Sequence, residues 1–206
     1  MLPKIFKPYR SNKQNLIRIG PKSDGGYIID KRVIKKTVAV ISCGLNDDWE
    51  FERHFLKLNP NCKIIAYDHT VNDKFWKERF KKDFISLIFL KKLRLNKILD
   101  VFKYLNYRSF FSKKNVHHIK KVVLREKNKN EISIKNILKK SQNLILKVDI
   151  EGDEYSVLNQ IKREHKKINL LIIEFHDISK NLEEIKNFIH RSKYKLIHIH
   201  GNNFAG

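Results

Sequence analysis

Cysteine, glycine, proline and alanine are all scarce in this chain, and each shortage removes a class of explanation. The two cysteines, Cys43 and Cys62, are too few for a disulfide framework and stand in no metal-like spacing, so reduced thiols in a cytosolic protein are expected. Seven glycines and four prolines leave no Pro/Gly/Ser-rich linker, and no repeat interrupts the chain, so residues 1–206 are expected to form one domain. The opening "MLPKIFKPYRSNKQN" lacks the continuous apolar stretch of a secretory signal. The run "FISLIFL" (84–90) is far too short to span a bilayer. Only three alanines (Ala39, Ala66, Ala205) stand among abundant Lys, Asn and Ile, a bias that an AT-rich coding sequence also produces.

Negative charge is scarce too. Against 44 Lys and Arg there are 22 Asp and Glu, giving a formal net charge of +22. That balance suits a nucleic-acid or membrane-surface partner, but its distribution is uneven. Residues 1–72 carry 13 basic and 7 acidic groups, 73–130 carry 18 and 5, and 131–206 carry 13 and 10. The excess therefore belongs to a basic insert within an otherwise ordinary domain. Hydrophobic residues, at 41%, suffice for a folded core.

What is present is a rhythm. "TVAVISC" (37–43) and "CKIIAYD" (62–68) read as buried strands, "IKKVVL" (119–124) as a weaker third, "NLILKVD" (143–149) as a fourth. "INLLIIEFH" (168–176) and "KYKLIHIHG" (193–201) supply a fifth and a sixth. Helices are expected after Asp47 or Asp48, with Trp49, Phe55, Leu56 and Leu58 inward, and over 131–140 with Ile134, Ile137 and Leu138 on one face. Two more follow Asp153, with Tyr155, Leu158 and Ile161 inward, and cover "NLEEIKNFIHRS". Alternation of this kind predicts an α/β fold: a parallel sheet with helices on both faces and its ligand at the carboxyl ends of the strands. Ahead of it, residues 1–36 form an extension in which "LIRIGPKSDGGYIID" reads as a hairpin. Residues 73–118 are too long for a simple connection and read as a basic helical insert.

Gly44 ends the first strand and Asp68 the second, 24 residues later. An acidic residue near that spacing can accept both hydroxyl protons of a ribose, while the turn "CGLND" lacks the glycine pattern that cradles a pyrophosphate. The stretch "LILKVDIEGDEYSVL" (144–158) gathers four carboxylates. Asp153 and Glu154 are accounted for by the positive N-terminus of the next helix. Asp149 and Glu151 are not called for by any capping rule. A calcium loop is excluded, because Gly152 falls at the fourth position instead of the sixth.

"RIGPKSDGGYIID", "ISCGLNDDWEFE", "AYDHT", "LKVDIEGDEYSVL", "LIIEFHDI" and "HIHGNNF", in this order, resemble the FkbM-type S-adenosylmethionine-dependent methyltransferases over about residues 16–204. The resemblance implies a class I, Rossmann-like three-layer fold with a mainly parallel sheet. In many relatives the reaction is O-methylation of sugars or other small hydroxylated metabolites. Carried over by position, Gly44, Asn46 and Asp47 approach the methionine part of S-adenosyl-L-methionine, Asp68 its ribose, and Asp149 and Glu151 line the joint cofactor and substrate site. "ISCGLNDDWEF" departs from the commoner D-x-G-A-N-x-G pattern, which bears on the methionine end most. The family's sheet closes with a seventh, antiparallel strand; the chain reaches Gly206 before one, so either the sequence is a fragment or that position is open.

Glu151 and His176 are the candidates to remove the acceptor's proton. Glu174 is in phase with His176, and His200, Asn202 and Asn203 are placed at the pocket mouth, where they could meet substrate. His198 and His200 share a strand face and with His176 could be imagined around a metal; the resemblance implies none, and no metal is assigned. For the insert the readings are an apolar side packed over the sheet with lysines to solvent, a substrate lid, a dimer surface, or a peripheral membrane contact through 81–105. A nucleic-acid-binding protein or RNA methyltransferase, supported by aromatics interleaved with charge in 73–118, is the second reading, without an RNA-binding signature. An inactive membrane-surface or scaffold domain is the third.

Overall fold

The computed structural model of the chain describes residues 4–9, 13–22, 25–89, 102–124, 128–139 and 141–201. Strands β1 (Leu16–Ile19) and β2 (Tyr27–Asp30) pair antiparallel, forming the hairpin expected around the Gly-rich loop. Three parallel strands follow, β3 (Ala39–Cys43), β4 (Lys63–Tyr67) and β5 (Val116–Ile119). A two-stranded parallel ladder, β6 (Val122–Val123) with β7 (Glu131–Ile132), stands apart. Strands β8 (Leu144–Val148) and β9 (Ile168–Ile173) complete a five-stranded, all-parallel sheet in the order β5-β4-β3-β8-β9. The described helices are α1 (Glu50–Leu58), α2 (Asp73–Phe89), α3 (Lys103–Phe111), α4 (Ile134–Ile137), α5 (Glu154–Arg163) and α6 (Ile178–Arg191).

Period-2 alternation sorts the sheet's side chains between two cores. Val40, Ile64, Ala66, Ile145 and Ile172 pack on one face with the hairpin, α1 and the aromatics of α2 and α3. Ala39, Ile41, Cys43, Leu144, Leu146 and Val148 pack on the other against α4, α5 and α6. Each buried aliphatic side chain contributes about 1.5–3 kcal/mol, so the three-layer arrangement rests on these two sets. Burial pushes the Cys43 and Cys62 thiols up to about 12, which keeps both protonated and inert.

Three expectations need correction. The third sheet strand is Val116–Ile119, not 119–124: Lys120 and Lys121 break the apolar run, and Val122–Val123 pairs with β7 instead. The last residues of the expected 73–118 insert therefore belong to the sheet. The expected sixth strand is absent, because residues 194–200 find no ladder; the backbone bond they receive among the described residues is Tyr9 N–H to the Leu196 carbonyl, 2.6 Å. Alternation supplies a face but not a partner. Leu58, expected inward, is 42% exposed, since the inward stripe of α1 runs through Phe51, Glu52, Phe55 and Leu56.

Candidate active site

The chain builds outward from β3 through β4 to β5, then crosses back to add β8 and β9 on β3's other side. The connections therefore diverge between β3 and β8, the place where ligands bind in such sheets. Asp149 N–H continues the ladder to the Cys43 carbonyl at 2.8 Å, so the loops after β3 and β8 lie against each other. Gly44 is needed there for two reasons. Its φ is +86°, and a Cβ would sit 1.6 Å from the Asp149 carbonyl oxygen.

The turn after β3 is organised by Asp68. Its Oδ2 accepts from the amides of Leu45 (2.8 Å) and Asn46 (2.9 Å), and its Oδ1 from Thr70 N–H (2.7 Å) and Thr70 Oγ1 (2.6 Å). Burial opposes the charged carboxylate, but these donors outweigh it and hold its pKa below the usual range. Asn46 is held left-handed at φ 49°, and Asp47 Oδ2 pairs with Arg79 of α2 and Lys103 of α3, each at 2.9 Å. Asp47 thus ties the insert to the turn. Asp48 precedes α1, whose N-cap is Trp49, and its Oδ1 accepts from Glu50 N–H at 2.8 Å.

Beneath Asp149 lies an ion network that sequence reasoning missed. Lys147 is buried, its Nζ 3.9 Å from both Asp149 Oδ2 and Glu52 Oε1, and it donates to the Gly44 carbonyl at 3.4 Å. Burial disfavours the ammonium, yet the charges of Glu52, Asp149, Asp48 and Glu174 together raise its pKa. Ser42, its register partner on β3, donates to Glu52 Oε1 at 2.5 Å. From β2, Tyr27 OH donates to Glu174 Oε2 at 2.9 Å and reaches Asp149 Oδ2 at 3.4 Å. Burial pushes the Asp149 carboxyl up to about 6; Lys147 and His176 pull it down, Glu174 and Glu151 push it further up.

Glu154 and Tyr155, at the start of α5, seat His176. Glu154 is fully buried, and its carboxylate accepts from the amides of Ile150 and Gly152 (3.1 Å each) and from His176 Nδ1 at 2.8 Å. Tyr155 OH donates to the His176 carbonyl. With Nδ1 committed to a carboxylate, Nε2 is left facing Glu151 Oε2, 3.7 Å away. Burial lowers the His176 pKa, but the Glu154 hydrogen bond and the charges of Glu154, Asp149 and Glu151 outweigh it, and the net shift is upward. Glu154 keeps its place in the first turn of α5 and also accepts from His176, while Asp153 occupies the N-cap position without a side-chain cap bond. Glu151 adopts φ 54°, a conformation that costs a non-glycine residue about 1–3 kcal/mol.

The structure thus assembles Asp149, Glu151, Glu174 and His176 at one edge, with Gly44, Asn46, Asp47 and Asp68 on the adjoining turn. One ligand-type atom from each of Asp149, Glu151 and His176 lies within 4.8 Å of the others, a set able to hold a divalent cation. His198 and His200 stack on each other with ring centroids 5.3 Å apart and do not join that set. Asn202 and Asn203 lie outside the described residues. Within the 81–105 stretch, Lys81 and Lys82 are exposed, Ile85, Phe102 and Leu105 are half exposed, and residues 90–101 lie outside the described residues. No described helix is long and apolar enough to cross a membrane.

Comparison with curated proteins and with solved structures yields no match. Residues 31–196 match the family model of the methyltransferase FkbM domain, and that span holds both site loops and all five sheet strands. The five-stranded parallel sheet with its flanking helices agrees with that match, and the chain belongs to the FkbM methyltransferase family.

Proposed function

We propose that the chain is an S-adenosylmethionine-dependent O-methyltransferase acting on a hydroxyl of a sugar, glycan precursor or other small hydroxylated metabolite. The observation that carries this reading is the carboxylate wall of Asp149, Glu151 and Glu174 beside a histidine whose Nδ1 is fixed by buried Glu154. The wall fits a cationic donor: it offers carboxylates, and the buried Lys147 beneath them is already committed to Glu52 and Asp149. Bound there, the cofactor would supply a methyl group on a positively charged sulfur, open to in-line attack by a hydroxyl oxygen. The Gly44–Asp47 turn would hold its methionine end. Asp68 would serve the ribose indirectly, by shaping the turn through Leu45 and Asn46, since each of its oxygens already accepts at least two donors.

His176 Nε2 takes the acceptor's hydroxyl proton while Glu154 stabilises the imidazolium that forms, and Glu151 orients the hydroxyl from the opposite side. A raised His176 pKa keeps more of the imidazole protonated near neutrality. The rate should therefore climb with pH until that group has titrated.

Methyl transfer from a labelled donor, measured across a panel of free and carrier-linked sugars, tests this. His176→Gln should lower turnover about 10²–10⁴-fold while leaving donor binding intact. Glu154→Gln, which removes the influence raising the His176 pKa, should move the rise in rate to lower pH. Undiminished turnover in His176→Gln would remove the base assignment. Loss of wild-type activity on chelation would reassign Nε2, with Asp149 and Glu151, to a cation.

A further inference from the structure

We infer that Tyr27, carried by the N-terminal hairpin and lying outside the residues matched to the family domain, is a positioning residue of the site that holds Asp149 and Glu174 together as a carboxylate pair. The geometry stands without any assumption about the reaction; its meaning for catalysis rests on the proposed function.

The two carboxylates come from different strands, Asp149 following β8 and Glu174 following β9, and Glu174 N–H bonds the Val148 carbonyl at 2.9 Å. The backbone therefore brings together two groups that repel one another in a partly buried setting. A single phenol proton between them offsets this. It is donated mainly to Glu174 at 2.9 Å, with Asp149 at 3.4 Å receiving the weaker share. Tyr27 is well placed to stay neutral, since burial and then the charges of Asp149 and Glu174 drive its pKa far above the usual phenol value. Its ring is fixed edge-on to Phe51 of α1, centroids 5.5 Å apart, with Lys147 Nζ 5.6 Å from the ring centre.

The hairpin is itself clamped to the domain. Gly20 N–H bonds His54 Nδ1 of α1 at 3.3 Å, and Gly25 packs so closely on Asp48 that a Cβ would meet Oδ2 at 3.1 Å. The hydroxyl is thus delivered from outside the sheet at a set height above its edge. Asp149 is faced by Tyr27 from β2, Lys147 from β8, Glu151 from its own loop, and Glu174 and His176 from the loop after β9. Among these, Tyr27 is the neutral donor that bridges both carboxylates.

The test is a pair of crystal structures of the full chain, wild type and Tyr27→Phe, which keeps the ring and removes the donor. Without the shared proton the Asp149 and Glu174 carboxylates should turn away from each other, because their repulsion is no longer offset. A side chain that only fills space would leave the pair where it is, and an unmoved pair in the folded variant overturns the inference. Where Tyr27→Phe alone does not fold, the same change is made in Glu174→Gln, which relieves the repulsion: a double variant that folds bears the inference out, and one that stays unfolded overturns it. Neither structure needs donor or acceptor, so absence of methyl transfer would overturn the proposed function alone.

Discussion

Asp149 carries the charge on which the proposed chemistry depends, and the fold holds it at a cost. Its carboxyl is pushed from 3.8 to about 6, chiefly by burial. The native state therefore binds that proton more tightly than the unfolded chain does. Stability from this group is complete below the unfolded value and is lost as pH rises through about 6. Asp149→Asn should accordingly raise stability above pH 6, by at most about 3 kcal/mol, while abolishing methyl transfer. Thermal melts across pH check it: the gain over wild type should open between the two pKa values and then level off. Asp149 and Glu151 were legible in the sequence as acidic residues that capping left unexplained. Tyr27 was not, because it reads as an ordinary apolar position of a strand and lies 122 residues from Asp149. The second contact of Glu154 was not legible for a related reason: a carboxylate at a helix start has a sufficient local explanation, and His176 is 22 residues away.

At the scale of elements, a buried ion pair links β8 to α1. Lys147 interrupts the apolar run "LILKV", and Glu52 lies between Phe51 and Phe55 on the inward stripe of its helix. A charge in an otherwise buried run was the available signal, and it was passed over. Lys147→Met should destabilise the fold by about 3–5 kcal/mol, since it strands the Glu52 carboxylate in the interior, and Lys147→Met with Glu52→Gln should recover much of the loss. Chemical denaturation of the three chains measures this. The hairpin and four of the five sheet strands were legible from apolar runs and turn residues. The third strand and the apparent sixth were not, because run hydrophobicity fixes neither where a ladder begins nor whether a neighbour exists. Residues 194–200 carry the pattern of a strand and lie against the N-terminal segment instead.

At the scale of the molecule, a chain of net charge +22 brings Asp149, Glu151 and Glu174 together at one edge of one sheet. The topology accounts for the location, because strand order diverges between β3 and β8, and the family match covers that divergence. The basic excess sits elsewhere, largely in residues 73–130, whose Arg79 and Lys103 reach back to Asp47 on the turn after β3. Charge composition alone pointed toward polyanions; the acidic edge is what the proposed cationic donor requires. Isothermal calorimetry of the folded chain with S-adenosylmethionine tests this most directly. The account predicts saturable one-site binding, weakened about tenfold or more by Asp149→Asn, since a tenfold change corresponds to about 1.4 kcal/mol and the lost interaction is partly buried. No binding to the intact, folded wild-type chain would contradict it.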